Sequence, residues 1–273
     1  MPAAARLRLA AAGTARRHRL GQVKQSIPFG LSLSKPVVPD WPAPARVRSL
    51  MTTRTGGVSQ AAWASLNLGD HVGDDPAHVA ANRERLRQQL PNEPAWLRQV
   101  HSARVVELGR DAEREADAAF TREPGQVCAV LTADCLPVLF CDRAGSVVAA
   151  AHAGWRGLAD GVLEAAVAAM QVPPDRVLAW MGAAIGPQAF EVGDEVREAF
   201  VGRHPEAAAA FVPQPAPGKW LADLYQLVRI RLDRIGVQAI YGGGRCTFSE
   251  TDVFFSYRRD GVTGRMASLI WLT

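Results

Sequence analysis

The runs Val127-Cys128-Ala129-Val130-Leu131-Thr132, Pro137-Val138-Leu139-Phe140-Cys141 and Val147-Val148-Ala149-Ala150-Ala151 decide the fold class. Each is strand-length and apolar along its whole course, as expected of strands in a buried sheet. An Ala-rich segment at 157–170 follows and stops before Pro173-Pro174, which reads as a helix, and residues 177–181 read as the next strand. Outward from this centre, residues 47–53, 96–100 and 104–108 are further strand-like runs. Residues 76–90 carry the marks of a helix: Asp74 or Asp75 as N-cap, Pro76 at the first helical position, and Val79, Arg83, Leu86 and Leu90 spaced along it. Helices are also expected at 193–200 and 221–235, and closing strands at 239–241, 253–256 and 266–272. Strands and helices alternate without a linker. The expected architecture is therefore α/β with mixed α+β character: a single layered domain over residues 36–273, with mixed β-sheets covered by helices.

The 273 residues are 48% hydrophobic and 21% charged, which excludes a disordered, collagen-like or fibrous chain. The net charge of +4 is unevenly spread. Residues 1–38 hold seven of the 31 basic side chains and no acid, so the remaining 24 face 27 acids, a net of −3. A high pI thus describes the start of the chain, and no nucleic-acid partner is expected. No run of 18 apolar residues occurs, so no membrane span is expected. Arg16, Arg17, His18 and Arg19 interrupt the start before the apolar segment of a secretory signal. Residues 1–35 read as a disordered or extraneous basic extension, with a transit peptide as the alternative. Four cysteines do not make a disulfide framework at this length, and a cytoplasmic location is expected.

His101, Cys135 and His152 each stand at the end of a strand-like run, where α/β proteins usually bind ligands. Two imidazoles and one thiolate suit zinc, and three protein ligands leave a fourth position for water or substrate. Their separations of 34 and 17 residues match no zinc-finger spacing, so the fold must assemble any site. The bland alternative is two hydrogen-bonded histidines and a small buried cysteine. The turn Ala153-Gly154-Trp155-Arg156-Gly157 opens a helix behind His152, a setting that attracts anions. Arg54, beside Gly56-Gly57, reads as a substrate or phosphate contact or as a surface ion pair. Arg258 is chosen over Arg259 to face the site, because neighbours near a strand end point opposite ways. Asp134 reads as a partner of Cys135 or as a loop cap. Cys128 and Cys141 read as core, and no glycine-rich nucleotide loop occurs.

The segments Thr53-Arg54-Thr55-Gly56-Gly57-Val58-Ser59, Ser65-Leu66-Asn67-Leu68-Gly69, Gln99-Val100-His101, Thr132-Ala133-Asp134-Cys135-Leu136-Pro137, Ala151-His152-Ala153-Gly154-Trp155-Arg156-Gly157, Ala184-Ile185-Gly186-Pro187 and Phe254-Phe255-Ser256-Tyr257-Arg258-Arg259 resemble the laccase-domain family. That family is also called the polyphenol-oxidase or purine nucleoside phosphorylase family of multifunctional zinc proteins. The resemblance runs in order from about residue 39 to the end. It implies a single-domain α/β fold like that of cysteine-hydrolase toxins, with zinc held by the residues matching His101, Cys135 and His152. It also implies phosphorolysis of adenosine, guanosine or inosine and methylthioadenosine, with adenosine deamination as a further activity. An older label adds copper-dependent oxidation of phenols, hence copper as the alternative metal. Some bacterial relatives edit cell-wall precursors by removing a misplaced serine, which would make Cys135 the nucleophile of a cysteine hydrolase and His152 or His101 its base. Many members carry a cysteine pair after Ile-Gly-Pro, where this chain has Gln188-Ala189.

Phosphorolysis needs an anion site and stabilisation of charge as the glycosidic bond breaks, roles open to a metal, Arg54 and the helix start after His152. The usual deaminase signature, H-x-E with P-C-x-x-C, is missing, so deamination would use another scaffold. Copper oxidation is the least favoured reading, since six histidines in all are too few for its several sites. Purine nucleosides and phosphate are the expected partners of a monomer or homodimer. The non-enzymatic alternative is a module whose basic start docks on an acidic partner or membrane.

Overall fold

Two mixed sheets lie face to face in the computed structural model, which describes residues 35–273. In chain order the strands are β1 (Val47–Met51), β2 (Pro94–Ala95), β3 (Val105–Glu107), β4 (Ala118–Thr121), β5 (Val127–Thr132), β6 (Leu136–Asp142), β7 (Val148–Ala153), β8 (Val177–Met181), β9 (Glu191–Gly193), β10 (Phe211–Pro213), β11 (Lys219–Ala222), β12 (Ala239–Gly242) and β13 (Met266–Leu272). The helices are α1 (Pro76–Arg87), α2 (Trp155–Asp160), α3 (Val162–Ala169), α4 (Asp194–Val201), α5 (Leu224–Arg234) and α6 (Tyr257–Asp260). One sheet runs β12-β8-β6-β7-β4-β3, the second β1-β13-β5-β2, and a small third β10-β11-β9. Pairing is parallel at β12 with β8, β3 with β4 and β2 with β5, and antiparallel elsewhere.

Leu139, Cys141, Val148 and Ala150 of the first sheet meet Met51, Cys128, Val130 and Ile270 of the second in one apolar layer. The other face of the first sheet, with Val138, Phe140, Ala149 and Ala151, packs on Leu158, Leu163, Ala166 and Val228 of α2, α3 and α5. The outer face of the second sheet, with Leu50, Leu131 and Leu269, lies under Leu66, Leu68 and Leu86. Alternate residues of β5 and β6 therefore enter different dry layers, which explains runs that are apolar throughout. Cys128 and Cys141 are core, and burial pushes both thiols up. All four cysteines are free.

Several boundaries differ from the sequence expectation. The helix expected at 157–170 begins at Trp155 and breaks at Gly161, whose φ of 98° cannot continue a right-handed helix. Residues 96–100 form no strand beyond one bridge from Arg98 to Glu115, because the N–H groups of Val100, His101 and Ser102 go to the Asp117 carboxylate. Residues 253–256 are also no strand: Phe254 N donates to Glu250 O, Phe255 N to Met266 Sδ, and Ser256 caps α6. β7 runs on to Ala153, so His152 lies inside a strand. The N-terminal extension expected over residues 1–35 lies, but for Lys35, outside the described residues. Among the described residues, no helix is long and apolar enough to cross a membrane.

The β6–β7 turn depends on Asp142, whose carboxylate accepts Ser146 N at 2.6 Å, Val147 N at 3.1 Å, Ala144 N at 3.3 Å and Ser146 Oγ at 2.9 Å. Burial acts to raise its pKa, but these bonds outweigh it and hold the carboxyl below its ordinary value. A depressed folded-state pKa means stabilisation that is present above the unfolded value and lost as pH falls. Asp142→Ala is expected to cost about 2 kcal/mol in urea unfolding at neutral pH, since several bonds to a charged acceptor disappear. The gap from wild type should shrink as pH falls below about 4.

Candidate metal centre

His101 comes from the loop between β2 and β3, Cys135 from the connection between β5 and β6, and His152 from β7. The fold brings their ligand atoms within 4.8 Å of one another, and Cys135 Sγ lies 3.8 Å from His101 Nε2. The two imidazoles meet edge to face with centroids 4.8 Å apart. Zinc–sulfur and zinc–nitrogen bonds of roughly 2.3 and 2.0–2.1 Å at a tetrahedral angle set sulfur and nitrogen about 3.6 Å apart. The donor set and the spacing therefore fit zinc. His101 and Asp134 carry positive φ angles of 61° and 92°, strain that persists only where surrounding contacts impose it. Here they do. Asp117 binds the His101 N–H, while Asp134 accepts Thr247 Oγ1 and the Arg258 N–H through its carboxylate, at 2.6 Å each, and Ile185 N through its carbonyl. Asp134 is thus a loop cap.

Asp117 links the two histidines. Fully buried at the start of β4, it accepts His152 Nδ1–H at 2.8 Å, the N–H groups of Val100, His101 and Ser102, and the Ser102 hydroxyl at 2.8 Å. The bond to Nδ1 leaves His152 Nε2 for the cluster. Burial would raise the Asp117 pKa, but its bonds to His152 and Ser102 draw it down to about 2. Burial likewise opposes charge on His152, yet the thiolate and Asp117 beside it raise its pKa. Cys135 moves the other way: burial works to raise it, and the imidazoles of His152 and His101 lower it. Sequence reading passed over Asp117. The available signal was a carboxylate inside Ala116-Asp117-Ala118-Ala119-Phe120, since a charge in an apolar run must be paired.

Gly154 follows His152 and N-caps α2, a helix of six residues. A Cβ there would lie 2.6 Å from His101 Cδ2 and 3.1 Å from Cys135 Sγ, so any side chain would invade the cluster. Gly154→Ala is expected to lower metal affinity about tenfold, the scale on which displaced metal ligands are felt, as chelator competition would measure.

The cluster forms one wall of a cavity of about 570 Å³, within the roughly 300–1,000 Å³ typical of ligand sites. Trp155, Phe190 and Tyr257 supply aromatic surface, and Arg156, Arg258 and Arg265 supply charge. Arg258 lines the cavity from helix α6 and not from a strand end, over the Phe190 ring with its NH1 on Glu191 O at 2.8 Å. Arg54 does not line this cavity. Its guanidinium donates to Ala64 O and Thr251 O and stacks over Phe255, clasping two loops together. Arg265, unremarked in the sequence, takes a place in the wall.

Residues 48–273 match the family described as multi-copper polyphenol oxidoreductase laccase. The chain belongs to this family. It is 60% identical over 236 residues to a purine nucleoside phosphorylase of Pseudomonas aeruginosa, covering 86% of this chain and 98% of that protein. It is 56% identical over 244 residues to purine nucleoside phosphorylase YfiH of Escherichia coli, covering 88% and 100%. A crystal structure of a Neisseria meningitidis protein at 57% identity superposes with a TM-score of 0.84 over 88% of this chain and 99% of the other. The α/β fold expected from the buried runs is the fold shared with this crystal structure.

Proposed function

We propose that the chain is a zinc-dependent purine nucleoside phosphorylase whose residues 36–273 act as one catalytic domain. Adenosine, guanosine, inosine and methylthioadenosine are its substrates, and the same centre deaminates adenosine. The observation that carries this reading is the convergence of His101, Cys135 and His152 in one cavity, in a chain so similar to proteins named for this activity. These three residues would hold zinc, which the tetrahedral spacing and single thiolate favour over copper. When bound, zinc supplies a Lewis acid that stabilises developing negative charge and activates water.

The protein's own groups do the rest. Asp117 holds His152 in one tautomer and orients it. Trp155, Phe190 and Tyr257 offer faces on which a purine stacks, and Arg258 offers positive charge to the substrate. As a phosphate oxygen bonds to ribose C1′, the C1′–N9 bond breaks. Its electron pair leaves with the purine, which takes up a proton. Free cysteines fit a reducing compartment such as the cytoplasm.

Incubating purified, zinc-loaded protein with adenosine and phosphate tests the reading. Adenine plus ribose 1-phosphate is expected from phosphorolysis and inosine from deamination, and absence of all three overturns it. The Asp117–His152 pair beside a thiol of lowered pKa favours a second reading, a cysteine hydrolase acting on cell-wall precursors. That reading expects release of serine that survives a chelator.

A further inference from the structure

Arg265 differs from the other cations of the cavity. It is half-buried, and burial works against its charge, yet among the described residues no carboxylate pairs with it. A guanidinium has five N–H donors, and only NH1 of Arg265 is used within the protein, on Thr263 O at 3.0 Å and Gly264 O at 3.1 Å. Its Nε–H and NH2 edge remain. Arg258 and Arg156, by contrast, are exposed, lying over the Phe190 and Trp155 rings.

The Arg265 guanidinium carbon lies 5.9 Å from the Tyr257 ring centroid, on the wall of the cavity that also holds Cys135. A half-buried guanidinium with an unused donor edge is costly unless a ligand answers it. The Ser65-Leu66-Asn67-Leu68-Gly69 segment, which the reading of the metal centre leaves unexplained, holds this arginine. Arg265 N donates to Asn67 Oδ1 at 2.9 Å, and Leu68 N donates to Arg265 O at 3.1 Å. Gly69 lies so close that a Cβ would stand 2.8 Å from Arg265 Cγ.

We propose that Arg265 forms the subsite for inorganic phosphate, its free guanidinium edge binding two phosphate oxygens. The proposal rests on the phosphorylase reading of this cavity. A planar fork matched to an oxyanion is the usual reason for an arginine there, and lysine cannot reproduce it.

The test varies phosphate in steady-state rates of zinc-loaded wild type, Arg265→Gln and Arg265→Lys, alongside calorimetric titration of inorganic phosphate without nucleoside. Zinc content and circular dichroism are recorded for each. Arg265→Gln is expected to raise the phosphate KM at least about tenfold while the adenosine KM changes less than about twofold, with Arg265→Lys between it and wild type. The calorimetric affinity should fall in parallel. An unchanged phosphate KM and affinity in Arg265→Gln overturns the subsite, and where that variant fails to fold, Arg265→Lys decides. A wild type that binds phosphate through Arg265 but performs no phosphorolysis overturns the phosphorylase reading and leaves the subsite standing. A wild type that does neither overturns both.

Discussion

Cys135→Ala and His101→Ala are each expected to abolish zinc binding and both proposed activities. Two protein ligands do not hold a zinc ion at working concentrations, and the thiolate is the only formal negative charge among the three donors. Metal analysis should fall from about one zinc per chain to under about a tenth. Nucleoside turnover should drop at least about 10³-fold, because both reactions draw on the metal's electrostatic work. The fold should survive: both residues sit in connections between strands and neither belongs to the apolar clusters. Urea unfolding is expected to stay within about 1 kcal/mol of wild type. Variants that keep full zinc would overturn the ligand assignment. Activity that disappears in Cys135→Ala but resists metal removal in wild type would instead support the cysteine hydrolase.

The strand reading succeeded where burial alone sets the pattern. β5, β6 and β8 are dry on both faces, so their sequences declare them, and 177–181 matches to the residue. It failed where a side chain takes donors from the backbone, as at residues 100–102, whose N–H groups serve Asp117. Sequence periodicity cannot register a carboxylate arriving from another strand. The three candidate ligands were legible because their residue types are chemically rare together and each follows or opens an apolar run of the sequence. Their support was not, since Asp117 acts across 15 to 35 positions of chain. Arginines were read least well: Arg54 stands near a glycine turn and Arg265 in an ordinary strand start, and only the folded chain shows which one reaches the cavity.

Asp117→Asn is the sharpest test of how the centre is held. The substitution keeps size and burial but replaces an acceptor of four N–H groups and one hydroxyl with a side chain whose nitrogen end can only donate. If the amide nitrogen faces His152, Nδ1 must accept, the proton moves to Nε2, and the lone pair aimed at the cluster is gone. If the amide oxygen faces His152, the NH2 group meets the loop around His101, where the Val100 and Ser102 N–H groups lose their acceptor. Either orientation disturbs a histidine or the loop that carries one. Zinc affinity is expected to fall by between about 10- and 100-fold, as for other carboxylates that orient metal-bound imidazoles. Unfolding should cost about 2 to 3 kcal/mol more than in wild type, from buried donors left unpaired. A purely structural aspartate would lower stability while leaving zinc affinity unchanged at a temperature where the variant is fully folded. Chelator competition under those conditions separates the two roles. A drop in affinity in Asp117→Asn without loss of His101, Cys135 or His152 would show that the zinc site is set as much by the carboxylate behind the imidazole as by the atoms in front of it.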